Sequence, residues 1–320
     1  MAVFTNHSAV GAREDLQDLI YSISPTDTPF LNSVGQGTAT NTTHEWQTDS
    51  LASVNVSNAA IEGADASTAT LSATTRLSNR CQISQKTISV SRTLEAVDKA
   101  GRKSEQAYQL AKASKEIKRD MEAILLSNQV ASAGSAAAAR TLGGLQTWIN
   151  TNGEFASAGT AGNLGTTARV DGTVDGAERA FTETLLKSVV KQVYESGGDP
   201  SILMVTPAHK QTVSAFAGIA AQRYMAPADQ PTTIVGAADV YMSDFGTISV
   251  VPNRFMLSGN SADDIALVLD PEYAEVNYLR PFETNDLAVA GDQANKQQLV
   301  AEYTLGVLNE GAHGIVADLA

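Results

Sequence analysis

The longest uninterrupted pattern in the sequence is helical. Ala107, Leu110, Ala111, Ile117, Met121, Ile124 and Leu125 recur on one stripe, and Ser104 is placed to cap the first turn. A helix over 104–128 would measure about 37 Å at 1.5 Å per residue. A compact chain of this length has a radius of gyration near 20 Å, so the helix crosses most of the molecule and other elements must line up along it. The surrounding stretch, 92–119, is basic: Arg92, Lys99, Arg102, Lys103, Lys112, Lys115, Lys118 and Arg119 stand against Glu95, Asp98, Glu105 and Glu116. It reads either as a solvated helix face or as a stripe that meets an acidic surface on another copy.

Upstream, residues 1–35 read as an arm with few contacts of its own. Leu16, Leu19 and Ile20 fall at near-helical spacing, and Ser24-Pro25-Thr26-Asp27-Thr28-Pro29 forces extended, turn-rich geometry. From 38 to 91 the text becomes Thr, Ser, Asn and Ala with β alternation. His44-Glu45-Trp46-Gln47-Thr48-Asp49 and Asn79-Arg80-Cys81-Gln82-Ile83-Ser84 can be two strands, with a phase slip near Gln85 of the kind a bulge produces. Residues 59–75 between them are almost free of large apolar side chains. The expectation is an extended hairpin that projects and, being marginal alone, packs on another subunit.

Downstream, 130–139 and 155–176 are Ala/Gly/Ser/Thr-rich connections that flank Leu142-Gly143-Gly144-Leu145-Gln146-Thr147-Trp148-Ile149. Residues 181–196 predict a second amphipathic helix, with Leu185, Leu186, Val189 and Val193 on one face and Gly197-Gly198 ending it. A short apolar strand over 201–205 follows, then a helix opened by Thr206-Pro207 with Val213 and Phe216 inward. Residues 240–242 and 247–251 flank a hairpin turn at Ser243-Asp244-Phe245-Gly246, and further strands are read at 265–269, 275–279 and 299–307. This order belongs to an α+β domain whose last strands return to the long helix.

Composition narrows the function. Apolar residues at 43% suffice for a sizeable core, and 22 basic against 35 acidic residues give a net charge of −13, which disfavours strong non-specific nucleic-acid binding. One cysteine, Cys81, excludes an internal disulfide framework and Cys-based zinc, and reads as a buried small hydrophobe. No apolar run reaches the ~20 residues of a spanning helix, and the first residues lack a secretion signal, so a soluble intracellular product is expected. No phosphate-binding glycine loop is present, and Asp244-Phe245-Gly246 lacks the companions of a kinase motif. His7, His44, His209 and His313 are scattered and read as surface or turn residues; Asp263-Asp264 reads as a solvated turn. No nucleophile, base and orienting group can be named, so no enzyme and no cofactor is expected. The acidic third of the chain, with Asp263, Asp264, Asp270, Glu272, Glu275, Glu283, Asp286 and Asp292 against Arg280, reads as a solvated face or as the counterpart of the basic stripe on a neighbour.

The order of arm, extended hairpin, long helix, central α+β domain and returning strands resembles the major capsid proteins of tailed bacteriophages, the Hong Kong 97 type. The wording is similar too, at Ile23-Ser24-Pro25-Thr26-Asp27-Thr28-Pro29-Phe30, at His44-Glu45-Trp46-Gln47-Thr48-Asp49, at Arg76-Leu77-Ser78-Asn79, over 91–128, and at Arg140-Thr141-Leu142-Gly143-Gly144-Leu145. The resemblance implies an arm over 1–37, an extended loop over 38–91 that laps an adjacent subunit, and a peripheral domain over 92–180 containing the spine helix at about 104–128. It also implies an axial domain over 181–260 and returning strands over 261–320 that complete both. Contacts between copies are expected at Trp46, at Arg102, Lys103, Lys112, Lys115 and Arg119, and at Glu272, Glu275 and Glu283.

The implied function is self-assembly into hexamers and pentamers of an icosahedral capsid that encloses double-stranded DNA without sequence-specific binding, with no membrane partner. No long helical N-terminal extension of the kind that serves some relatives as a built-in scaffold is evident, so the resemblance implies either a separate scaffolding protein or processing that has removed such a segment. The initiating Met1 favours the former, with a portal and a decoration protein as further partners. The product would be made in the bacterial host cytoplasm and end in the virion. An encapsulin-like nanocompartment shell around a cargo enzyme is the alternative on the same fold.

Overall fold

The structure is a computed structural model, and it describes residues 24–63, 65, 71, 73–98, 103–162, 172–216, 239–256, 264–288 and 293–320. The first described elements are a short helix α1 (Pro29–Ser33) and strands β1 (Gly35–Thr38), β2 (Thr43–Thr48), β3 (Thr75–Arg80) and β4 (Gln82–Ser91). Helices α2 (Arg92–Ala96), α3 (Glu105–Leu126) and α4 (Leu145–Trp148) follow, then β5 (Gly153–Glu154), α5 (Glu183–Glu195), β6 (Ile202–Val205) and α6 (Pro207–Ser214). The chain closes with β7 (Val240–Ser243), β8 (Gly246–Pro252), β9 (Ala266–Leu269), β10 (Ala274–Leu287), β11 (Ala294–Val307) and β12 (Gly314–Val316). Among the described residues no helix is long and apolar enough to cross a membrane.

Two main sheets share the work. One has the order β1-β10-β11-β4 and the other β5-β12-β9-β6-β8-β7; β2 and β3 form a separate antiparallel ribbon. The inner strands β12, β9 and β6 of the six-stranded sheet are buried on both faces and alternate between two cores with period two, whereas β7 and β8 at its edge leave Val240, Met242 and Ser249 exposed. Leu203, Val205, Ala266, Val268 and Val316 face α5 and α6, where Leu186, Val189, Val193 and Val213 complete one cluster. Met204, Leu267, Leu269 and Ile315 point the other way into a larger cluster shared with Ile117, Met121 and Leu125 of α3, Trp148 of α4, and Val276, Tyr303 and Leu305 of β10 and β11. That second core welds the two sheets along the long helix. The closing strands therefore divide between sheets: β9 and β12 join the six-stranded one, β10 and β11 the four-stranded one.

The helix boundaries follow local chemistry. The Ser104 hydroxyl accepts the Ala107 N–H at 3.2 Å, and Thr206 accepts that of His209 at 3.2 Å with Pro207 at the first helical position. Gly197, at φ +91°, ends α5 in a conformation a side chain would resist. The core-facing stripe of α3 is shorter than its sequence suggests. Ile117, Met121 and Leu125 are buried, whereas Ala107 and Ala111 are exposed.

Several expectations need correction. The sequence places residues 29–37 in an arm with few contacts of its own, yet Phe30, Leu31 and Val34 are buried in the larger core and β1 pairs in parallel with β10. The expected slip near Gln85 is absent: β4 pairs with β11 in one unbroken register from Gln82 to Ser91. The break falls at Cys81, where the chain leaves the β2–β3 ribbon for the four-stranded sheet, and the register shifts lie on β10 between Tyr278 and Glu283. Pro281 sits in that interval and cannot donate to a ladder, which accounts for the irregularity. His209 and His313, expected at the surface, are buried, whereas His7 lies outside the described residues.

The Gly143-Gly144 pair has a packing reason. A Cβ on Gly144 would fall 2.0 Å from the Ser127 carbonyl oxygen, so only glycine lets the loop before α4 lie against the end of α3. Backbone must shift to relieve that clash, and Gly144→Ala is expected to cost about 1–3 kcal/mol. The check is a lower urea midpoint for the unassembled subunit at an unchanged m-value.

Candidate assembly surfaces

The β2–β3 ribbon is the stem of a projection. Its foot is fixed by a buried amide: Asn79 Nδ2 donates to the carbonyls of Leu305 at 2.7 Å and Gly143 at 3.1 Å, and Oδ1 accepts the Gly143 N–H at 2.8 Å. Trp46 is half-buried, its ring 5.3 Å from that of Trp148 in the core. Beyond the stem no strand forms among the described residues, and Leu51, Val54, Val56, Ile61 and Leu71 are 99%, 92%, 95%, 82% and 89% exposed. Five aliphatic side chains standing in water on a fixed stem form a surface with no complement among the described residues. Residues 49–75 carry Asp49, Glu62 and Asp65 and no Lys or Arg.

The outer face of α3 carries the opposite charge. Lys103, Lys112 and Lys115 are exposed, and Lys112 makes an i,i+4 contact with Glu116 at 3.8 Å. Arg119 differs, since its guanidinium lies 5.4 Å from the Phe255 ring and is half-buried within the subunit. Arg102 lies outside the described residues. Of the acidic candidates, Glu272 and Glu283 are exposed, while Glu275 accepts from Asn277 Nδ2 at 2.6 Å and lies 3.8 Å from the His44 ring. The sequence-predicted contact residues thus split. Lys103, Lys112, Lys115, Glu272 and Glu283 are exposed, and Trp46, Arg119 and Glu275 are engaged inside the chain.

Sequence reasoning missed two buried carboxylates. Glu122 on α3 has no solvent contact and accepts the N–H groups of Phe30 at 2.7 Å and Leu31 at 2.9 Å and the Asn253 amide at 2.7 Å. Burial pushes its pKa above the ordinary carboxylate value, and these donors counter the rise. Glu302 on β11 is gripped by Arg140 and, at 2.9 Å, by Arg280. Isolated acids inside apolar runs carry no periodic mark, and only long-range pairing reveals them. Asp264, expected on a solvated turn, is half-buried; it and Asp175 place carboxylate oxygens within 4.8 Å of Asp318, which accepts the Ala156 N–H at 2.7 Å and that of Gly176.

The nucleophile-type groups are locked away. Cys81 is buried and its thiol is pushed up to about 11, mainly by burial and then by Glu302, so thiolate is scarce near neutral pH. His313 sits at a seam where three chain crossings between the sheets meet. Its Nδ1 faces the Asp270 N–H and its Nε2 the Tyr273 carbonyl, both at 3.4 Å. Asn152 Nδ2 reaches the Gly311 carbonyl at 2.8 Å, and Leu308 N donates to Tyr273 at 2.9 Å. Burial lowers the His313 pKa to about 4.

What remains accessible is apolar loop and charge, a surface suited to association. Residues 3–320 match the family described as the SU10 major capsid protein. The chain belongs to that family. The major capsid protein of Escherichia phage Phieco32 is 32% identical over 247 residues, 68% of this chain and 69% of its own. Among solved structures, the capsid of a native GTA particle superposes with a TM-score of 0.62 at 12% identity, over 98% of both chains. The encapsulin SrpI of Synechococcus elongatus PCC 7942 superposes at 0.53 with 10% identity, over 100% of this chain and 96% of its own. The fold is the α+β Hong Kong 97 type, and this capsid protein is a phage shell component found in the virion. The encapsulin shares the architecture, while the sequence family is that of phage capsids.

Two measurements follow from the buried acids and bases. Glu122→Ala leaves three donors buried without an acceptor and should lower stability by about 3 kcal/mol, read from denaturant unfolding, with Glu122→Gln losing less. His313 is neutral in the fold but titrates near 6.5 when unfolded, so the unfolded chain binds more protons between pH 6.5 and 4. Its contribution is complete above pH 6.5 and declines by about 3 kcal/mol as pH falls toward 4. His313→Gln should flatten the Tm-against-pH slope in that window.

Proposed function

We propose that the capsid protein builds its shell from hexamers and pentamers, the exposed hairpin loop of each copy lying on a neighbour. The observation that carries this reading is the loop itself. Apolar area of that extent in water is unfavourable at roughly 25 cal/mol per Å², and burial on a second subunit recovers it. The acidic loop and the exposed Lys103, Lys112 and Lys115 of α3 are complementary in sign and displaced on one subunit, which favours head-to-tail contacts that close into rings. Glu272 and Glu283 offer a second acidic strip to such contacts. Many modest interfaces, multiplied by symmetry, make the shell far more stable than any one of them.

In this reading residues 38–91 supply the extended loop, 92–180 the peripheral body with its spine helix, and 181–260 the axial body, and 261–320 complete both. The role is structural rather than enzymatic, in keeping with a buried, weakly acidic thiol and a histidine enclosed at a seam. The shell encloses double-stranded DNA, and the net charge of −13 suits a wall from which phosphate is released rather than held. A separate scaffolding protein, a portal and a decoration protein complete the assembly, which takes place in the host cytoplasm.

The test is a triple variant, Leu51→Ser, Val54→Ser and Val56→Ser. These side chains touch little within the subunit, so its melting temperature should stay within a degree or two of the parent, while shells seen by sedimentation and electron microscopy should fall at least tenfold. Normal shell yield would refute the loop's role. A charge reversal, Lys112→Glu with Lys115→Glu, should slow assembly most at low salt and less as salt screens the pair.

A further inference from the structure

The hairpin loop is rooted at one end of the four-stranded sheet, and a second exposed apolar surface lies at the other. Ser91, the last residue of β4, pairs with Ala294 at the start of β11, and its hydroxyl accepts the Leu94 N–H at 3.1 Å to open α2. The foot of the stem is fixed by Asn79 at the Leu305 carbonyl, near the end of β11. From Ala294 to Leu305 a strand advances about 36 Å at 3.3 Å per residue.

Helix α2 has no buried residue. Leu94 and the capping residue Val97 are 45% and 56% exposed. The Glu95 carboxylate accepts the Glu105 N–H at 2.9 Å, which fastens α2 to the first turn of α3. On α3 itself Ala107 and Ala111 are exposed four positions apart, so they share a face. The exposed charge of this corner is mainly basic, with Arg92, Lys103, Lys112 and Lys115 against Asp98. The loop is its complement in both respects. Leu51, Val54, Val56 and Ile61 stand in water, and the charged residues of 49–75 are Asp49, Glu62 and Asp65. From Thr48 to Ile61 the chain can extend by at most about 45 Å, enough to run along a neighbour's α3, whose 22 residues measure about 33 Å.

We propose that the loop of one copy docks on the α2–α3 corner of the next. Leu51, Val54 and Val56 cover Leu94 and Val97, while Glu62 and Asp65 face Lys103, Lys112 and Lys115. The proposal rests on the reading that the loop lies on a neighbour, and adds the surface that receives it. Charge selects this corner over the exposed Val240 and Met242 of β7, because Asp239 beside them is 84% exposed and carries the loop's own sign. Root and receptor at opposite ends of one sheet make the contact head-to-tail, so each copy gives one loop and receives one.

The test combines Val54→Cys with Val97→Cys in the full chain, assembles shells and treats them with a short bis-maleimide. Cys81 is buried and stays silent. The expected product is a ladder of chains joined to one another, absent when either substitution is present alone. Shells co-assembled from Val54→Cys subunits and Val97→Cys subunits should stop at joined pairs. Product within one chain, at monomer mass, would overturn the proposal, as would no product from shells whose thiols all titrate after unfolding. Independently, Leu94→Ser with Val97→Ser should leave the subunit melting temperature within a degree or two of the parent and lower shell yield at least fivefold. Unchanged yield would overturn docking at this corner. If Leu51→Ser, Val54→Ser and Val56→Ser still abolish shells in that case, the loop's role stands and only its receptor is wrong; normal yield from both sets removes the role itself. Should Val97→Cys fail to assemble, Val56→Cys with Ala107→Cys gives the same readout at a second point of the corner.

Discussion

The fold hangs on a carboxylate that water does not reach. Glu122 sits on the inner side of the long helix and receives hydrogen bonds from the start of α1 and from the end of the six-stranded sheet. Three segments separated by about a hundred residues each are thereby held at one point. A buried acid is costly unless every lone pair finds a donor, so this junction tolerates little displacement of any of the three. The apolar side chains around it, Ile117, Met121 and Leu125, supply the favourable burial, while the acid fixes which segments meet there.

With that joint in place the subunit is well packed in the middle and unfinished at its edges. Leu51, Val54, Val56 and Ile61 are the extreme case, and a second apolar corner exists where Val240 and Met242 of the edge strand β7 are exposed and Tyr194 stacks on Phe245 at 4.7 Å. A chain that ended its evolution as a solitary globule would have little reason to keep such groups in water. In the proposed assembly, a neighbouring copy would cover them.

Much of this architecture was legible in the residues. Periodicity disclosed α3 and α5, a hydroxyl and a proline marked the start of α6, and Gly246 marked the β7–β8 turn, because these depend on neighbours within a few positions. The fate of residues 29–38 was hidden, since Phe30 and Leu31 look like a short apolar patch in a turn-rich stretch until Glu122, far along the chain, supplies the partner. His313 was hidden for the same reason: its environment comes from Asp270 and Tyr273 in another element. Among the contact candidates, Lys112 and Lys115 could be read as exposed from their helical phase alone. Arg119 shares that phase and was captured by Phe255, a tertiary event that spacing does not encode.

The seam around His313 has a mechanical consequence. The chain passes between its two sheets at 149–153, 270–274 and 308–313, and hydrogen bonds lace these passages together through Asn152, Asp270, Tyr273 and the imidazole. Torque exerted on one sheet reaches the other through these laced passages together with the apolar core that both sheets share along α3. When curvature is imposed on a subunit embedded in a closed surface, the two sheets can tilt only as far as both the laced passages and that shared core allow.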